Sequence, residues 1–406
     1  MGTFARNRVS GTAGAFVALA VGAALAFLGA CRDTAPADVA YLEVQPETPL
    51  AVGPGRDVAF SVVAVRLDGS SYTPTVVSWT SSDPEIATIS GSGVATSVGA
   101  GTVEVRAEAD GGTGSASLEV WVPPDVPEYV AGVSYFGRRG YIEYVPGTLP
   151  LVISAPHGGD LTPDEIPDRT WGTLVTDANT LETALAVREA FLEETGQAPH
   201  LVLSHLRRTK LDPNRAVDEA AQESPFAELA WTEFHTFIEV AERAVADAFG
   251  SGLYLDLHGH GHEVPRVELG YLLSAEDLAR SDTELDDPSF ADESSIRDLA
   301  ENVDVPFARL LRGEVSLGGF LAREGVPSVP SPEDPSPGSD PYFTGGYATR
   351  RHGSRMAGHV VSGIQLELHR SGIRDTEDAR RTFGRSLARA TALFMHEHFG
   401  FFGTVS

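Results

Sequence analysis

Leu253-Tyr254-Leu255-Asp256-Leu257-His258 is an apolar run of strand length that ends on a histidine and is followed by Gly259. The run before it, roughly Pro225 to Phe249, has helical periodicity. Leu151-Val152-Ile153 is a second apolar run, ending at Pro156-His157, and Leu201-Val202-Leu203 is a third. Between them Asp177 to Leu192 reads as a helix, with Leu181, Ala184, Leu185, Phe191 and Leu192 on one stripe. Ile364-Gln365-Leu366-Glu367-Leu368 is a fourth strand, followed by a helix from about Thr376 to Phe399. Strands alternating with helices predict an α/β domain with a mostly parallel sheet, over residues 133–406. Such sheets bind ligands at the carboxyl ends of their strands, which here carry His157, His258 and Glu367.

The chain upstream has a different rhythm. Val58, Phe60, Val62 and Ala64 share a period of two, as do Val103, Val105 and Ala107, and later Leu118, Val120 and Val122. Short strands at even spacing over residues 40–122 predict an all-β sandwich. Trp79-Thr80-Ser81-Ser82-Asp83-Pro84-Glu85-Ile86-Ala87-Thr88-Ile89, then Gly93-Val94-Ala95 and Gly99-Ala100-Gly101-Thr102-Val103, resemble the bacterial immunoglobulin-like group 2 domain. The resemblance implies a spacer or adhesion module with a cell-surface partner. Residues 123–132, opening on a proline-rich stretch, are the expected linker, and 32–39 a tether. The acidic stretch Ser274–Glu301 and the proline-rich stretch Pro327–Pro341 are expected as lids or surface insertions.

Residues 1–31 carry Arg6 and Arg8, an apolar run from Ala13 to Leu28, and small residues before Cys31. That order is an export signal. Leu28-Gly29-Ala30-Cys31 resembles a lipobox, which implies lipidation of Cys31, a membrane anchor and a cell-envelope location, the outer membrane favoured by Arg32. The other reading of this segment is an uncleaved anchor. The net charge of -27, with one lysine among 30 basic residues, argues against nucleic-acid partners.

Two histidines at strand ends and a nearby acid are the ligand types of a catalytic zinc, which takes about three protein ligands and leaves a position open. His157 and Asp160 flank Gly158-Gly159 in one turn, and His258 comes from another strand. His260 and His262 follow at a period of two, and either can replace or support His258. Glu367, in an apolar strand, is either a general base raised by burial or a partner of Arg370 or another arginine. Arg207, Arg208, Lys210 and Arg215 cluster in a chain that is otherwise acidic, either to hold a carboxylate and an oxyanion or as a solvated loop.

Pro156-His157-Gly158-Gly159, Asp177 ahead of a helix, and Arg208 with Asp212-Pro213-Asn214-Arg215 resemble the N-formylglutamate amidohydrolase family. So do Asp256-Leu257-His258, Tyr342-Phe343-Thr344-Gly345-Gly346-Tyr347 and Gln365-Leu366-Glu367. The resemblance implies a fold similar to zinc carboxypeptidases and aspartoacylases, with zinc held by His157, Asp160 and His258. It implies Glu367 as base, Arg208 on the oxyanion, and Asn214 and Arg215 on a substrate carboxylate. Carboxypeptidase-type sites carry glutamate where Asp160 stands, so Asp177 is the alternative acidic ligand. The substrate class implied is a small molecule or short peptide with an amide and a carboxylate. Its rivals are glutamyl or cell-wall peptides, and a surface protein that binds without catalysis.

Overall fold

The computed structural model describes residues 38–122 and 128–402. The expected export signal, Cys31 and residues 123–127 of the expected linker lie outside the described residues. No helix among the described residues is long and apolar enough to cross a membrane.

Residues 39–121 form three small, largely antiparallel sheets. Gly101–Ala109 pairs with Gly112–Trp121 in register, and every second residue points inward: Val103, Val105, Ala107, Leu118 and Val120 are buried. They meet Leu42, Val44, Phe60, Val62 and Ala64 in one core, as a period-two pattern requires. The tether ends one residue early, because Val39 already starts a strand.

The second region is built on a mixed sheet of eight strands: β1 (Tyr135–Phe136), β2 (Ile142–Val145), β3 (Leu151–Ala155), β4 (His200–Ser204), β5 (Gly252–His260), β6 (Val267–Gly270), β7 (Ser328–Val329) and β8 (Val361–His369). Their order is β1-β2-β4-β3-β5-β8-β6-β7. The four central strands β4, β3, β5 and β8 run parallel, while β2 and β6 pair antiparallel with them. Three long helices cover it: α1 (Thr180–Thr195), α2 (Pro225–Phe249) and α3 (Glu377–Phe399). Ser224 caps α2 by accepting the Ala227 N–H, with Pro225 in the first turn, where its missing N–H costs nothing.

Side chains of β5 alternate between two cores. Leu253, Leu255 and Leu257 pack with α1 and α3. Tyr254 faces α2, so Asp256, His258 and His260 also emerge on the α2 side. Their parallel neighbours on β8 are Gln365, Glu367 and His369, and Glu268 of β6 is opposite Glu367. One face of the sheet therefore carries all of these polar groups.

Two expectations are corrected. The buried face of α1 is Ala184, Val187, Ala190 and Phe191, whereas Leu185 and Leu192 are exposed. α3 packs closely on this face: a Cβ on Gly384 would lie 2.9 Å from the Ala186 carbonyl oxygen. Residues 274–301 are neither lid nor loose insertion. Short helices there bury Leu278, Leu285, Ile296 and Leu299 in the α1/α3 core, on the face opposite the polar groups.

Candidate metal centre and active site

β5 continues beyond the last residue of β3 with which it pairs, Ser154 with Asp256. Its backbone past that point has no strand on one side, and the Gly259 N–H instead donates to Asp177 Oδ2 at 3.1 Å. Asp177 also donates its own N–H to the His157 carbonyl at 3.1 Å, which ties it to the turn after β3. Gly158 and Gly159 serve that turn by close approach rather than by unusual dihedrals. A Cβ on Gly158 would lie 2.4 Å from the Leu181 nitrogen, and one on Gly159 2.1 Å from the His205 carbonyl carbon. Neither has a positive φ.

The result is a buried group of three. Asp177 Oδ2 lies 3.2 Å from His157 Nδ1 and 3.4 Å from His258 Nδ1. The rings of His157 and His258 are 4.9 Å apart between centroids. Each ring turns its far nitrogen to a second buried carboxylate: His157 Nε2 is 2.7 Å from Asp212 Oδ1, and His258 Nε2 is 2.8 Å from Asp256 Oδ2. With those Nε2–H groups donating and the rings neutral, both Nδ1 atoms carry lone pairs that converge with Asp177 Oδ2. Three converging acceptors require a proton or a cation between them. Tetrahedral zinc at ~2.1 Å from each ligand separates neighbouring ligand atoms by about 3.4 Å. The two spans to Asp177 Oδ2 match, and carboxylate-backed histidines are what orient and strengthen imidazole ligands. His157, Asp177 and His258 thus fit a divalent cation such as zinc.

Asp160, the expected acidic ligand, is not in this group. It is exposed, in the wall of an open groove of about 1050 Å³ with Arg207, Asn179 and Lys210. The turn that brings His157 inward sends the side chain three residues later outward, and Asp177 takes its place.

Charges in the group are mutually dependent. Burial opposes the charge on Asp177, but the hydrogen bond and charge of His157, then of His258, hold its carboxyl well below the usual range. Burial likewise opposes protonation of His258, yet Asp256 and Asp177 push its pKa well up. Glu367 stands beside His258 in the next strand and is 5% exposed. Burial pushes its carboxyl up to about 8, with His258 drawing it down and Asp177 and Glu268 adding to the rise. Its Oε1 accepts the Gln365 amide at 3.0 Å, and Arg370 is exposed and apart from it.

Arg208 is buried: Nε donates to Asp212 Oδ2 at 3.0 Å and Nη1 to Asp177 Oδ1 at 3.3 Å. Apart from Arg207, which is exposed in the groove wall, the basic run is therefore internal framing rather than a solvated loop. Lys210 Nζ is bound to the Ile166 carbonyl at 2.6 Å, and Arg215 pairs with Glu219 at 3.1 Å. Asn214 accepts the Ala348 N–H at 2.8 Å, which fixes its amide so that Nδ2 lies 3.3 Å from His258 Nε2. So Arg208 and Asn214 meet the three-residue group, while Arg215 stands a step behind, its Nη1 on the Asn214 carbonyl.

Arg374 was not singled out by sequence. Its buried guanidinium donates to the Leu368, His260 and Ala178 carbonyls, joining the ends of β8 and β5 to the Asp177 turn. The only sequence signal would have been an arginine shortly after an apolar strand, which is too common to act on.

No protein-family model matches the chain, and no curated protein matches it. Among solved structures, an N-formylglutamate amidohydrolase from Ralstonia eutropha JMP134 is similar over 64% of this chain and 98% of its own, at 15% identity and a TM-score of 0.42. A gene product from Agrobacterium tumefaciens is similar over 64% of this chain and 92% of its own, at 14% identity and a TM-score of 0.32. Domains 4 and 5 of the S-layer protein SbsC cover 20% of this chain, at 21% identity and a TM-score of 0.18. Likenesses this distant leave the functional reading to the side chains.

Proposed function

We propose that this chain is a metal-dependent hydrolase of amide bonds in small, carboxylate-bearing substrates, of the N-formylglutamate amidohydrolase kind. The observation that carries the reading is Asp177 Oδ2 between two histidine nitrogens at 3.2 and 3.4 Å, with each histidine backed by a buried carboxylate.

His157, Asp177 and His258 would hold the ion, two imidazoles and one carboxylate being a donor set that suits zinc. When bound, it supplies a Lewis acid that polarises the amide carbonyl and activates water at neutral pH. Glu367 accepts the proton from the attacking water and returns it to the leaving amine. Its raised pKa suits both halves of that task, and an adjacent cation draws it towards neutrality. Arg208 steadies the developing oxyanion. Among the described residues its Nη2 is outside the bonds to Asp177 and Asp212, so one edge of the guanidinium remains for substrate. Asn214, with Arg215, presents the donors for a substrate carboxylate.

The same reading keeps Cys31 as the lipidated residue of an envelope protein and residues 40–122 as an immunoglobulin-like spacer. Its test is a release assay over N-acyl amino acids and short glutamyl peptides, with and without a chelator. Hydrolysis that stops on chelation and returns with zinc is expected. Glu367→Gln is expected to retain the metal and lose about 10²- to 10⁴-fold in kcat. Full turnover in a metal-loaded Glu367→Gln protein would sink the mechanism.

A further inference from the structure

His260, His262 and Glu268 form a second cluster that the proposed chemistry does not use. Their ligand atoms lie within 4.8 Å of one another. His260 Nε2 donates to the Arg266 carbonyl at 2.9 Å, so its Nδ1 carries the lone pair. That Nδ1 faces Glu268 Oε1 across 3.7 Å, and His262 Nδ1 lies 2.7 Å from the same oxygen. Glu268 is held in this aspect by the Phe343 N–H, which donates to Oε2 at 2.9 Å. Phe343 also stacks on the His262 ring, at 4.9 Å and 10°.

The charge balance points to a ligand. Glu268 is 1% exposed, and among the described residues its ion-pair partners are these two imidazoles alone. The nearest guanidinium in sequence, Arg266, turns away to Asp334 and Asp340. A buried carboxylate needs a positive partner, and two facing acceptors 3.7 Å apart gain nothing without one. A cation would displace two contacts, the backbone bond from His262 N–H to His260 Nδ1 at 3.2 Å and the hydrogen bond between His262 Nδ1 and Glu268 Oε1 at 2.7 Å.

We infer that His260, His262 and Glu268 form a second divalent-cation site, for zinc or a similar transition ion, on the same face of the sheet as the first. Two imidazoles and one carboxylate leave a coordination position open, and this donor set disfavours magnesium and calcium. The half-buried His262 gives the ion a way in from solvent. Because Glu268 is the cross-strand neighbour of Glu367, and His258 is its neighbour on the other side, the two sites flank that carboxylate. The second ion would pin the Gly261–Arg266 loop and the Phe343 segment together.

The experiment is zinc and cobalt uptake by the full chain after dialysis against chelator, measured as bound equivalents and as the visible absorption of the cobalt form. Wild type is expected to take up two equivalents, His262→Ala one, and His157→Ala the other one. Diethylpyrocarbonate labelling of the wild type provides a readout that needs no variant: zinc should protect the His262 peptide. Uptake of a single equivalent that His157→Ala abolishes and His262→Ala leaves intact, with His262 unprotected, overturns the inference. Loss of uptake in His262→Ala but not in His157→Ala supports it, while overturning the metal centre proposed above.

Discussion

Arg374 lies against the backbone of Gly259 so closely that a Cβ there would fall 2.4 Å from the guanidinium carbon. The same glycine donates its N–H to Asp177 Oδ2. Gly259→Ala therefore has to move either Arg374 or the end of β5, and Asp177 moves with the latter. Neither residue is needed as a ligand, yet the variant is expected to bind zinc roughly 10- to 100-fold more weakly, as for other groups that orient ligands. Competition with a chromophoric chelator measures this, and an unchanged affinity would show that Arg374 only fills space.

Asp212 and Asp256 fix which histidine nitrogen carries the proton. Asp256→Asn keeps the volume but offers the His258 Nε2–H a neutral partner, or turns an N–H towards it. The lone pair of Nδ1 is then no longer assured. Zinc affinity is expected to fall about 10- to 100-fold, and the melting temperature of the metal-free protein to fall as well, because His258 loses the buried carboxylate that pairs with it. Asp212→Asn should weaken zinc binding in the same way, and should also loosen Arg208, which donates to Asp212 Oδ2.

The parts of the site that sequence disclosed are those fixed by a single strand. His157 and His258 end apolar runs, Asp256 is two residues from His258 on the same face, and Glu367 interrupts leucines. Period two is enough to place them. Asp177 is harder to read, because its carboxylate is held inward by the Gly259 N–H, 82 residues away. Asp160, three residues from His157, had the advantage of proximity, but the turn points it outward. Arg374 reaches Ala178 across 196 residues, and no local pattern encodes such a contact. The α1 stripe was misphased for a related reason. Large leucines normally mark the buried face, but here α3 approaches closely at Ala186, and the face turned inward is Ala184, Val187, Ala190 and Phe191.

Glu233 of α2 accepts the Arg138 N–H at 2.7 Å through Oε1, while its buried Oε2 has no partner. Burial raises its carboxyl from 4.5 to about 7, the Arg138 N–H and charge drawing it partly back. Below pH ~4.5 it is protonated in both folded and unfolded chains and pH has no effect through it. As pH rises the unfolded chain ionises first, so stability falls up to about pH 7 and then levels. A shift of this size is worth about 3 kcal/mol. Glu233→Gln should remove that slope, becoming more stable relative to wild type as pH rises from 4.5 to 8. Denaturant melts at several pH values will show it, and parallel curves for the two proteins would refute it.

Arg138 joins the two folded regions. Its Nη2 and Nε grip both oxygens of Glu119, at 2.5 and 2.6 Å, from the last strand of the N-terminal sheets. Its Nη1 holds Glu165, and its guanidinium lies 4.5 Å over the Phe226 ring. The arginine side chain is 3% exposed, whereas Glu119 and Glu165 are 23% and 17% exposed. Removing the arginine leaves two carboxylates facing each other, partly open to water, so the cost is nearer 3 than 5 kcal/mol. The loss falls on the contact between the regions, not on either core. Arg138→Ala should therefore split one unfolding transition into two in calorimetry, with the N-terminal sheets and the α/β region melting separately. Arg138→Lys, which keeps the charge but cannot hold two carboxylates in the same fork, should fall between. A single transition lowered uniformly in Arg138→Ala would mean that the apolar contact of Leu50 and Trp121 with the α2 side of the sheet is enough to hold the regions together.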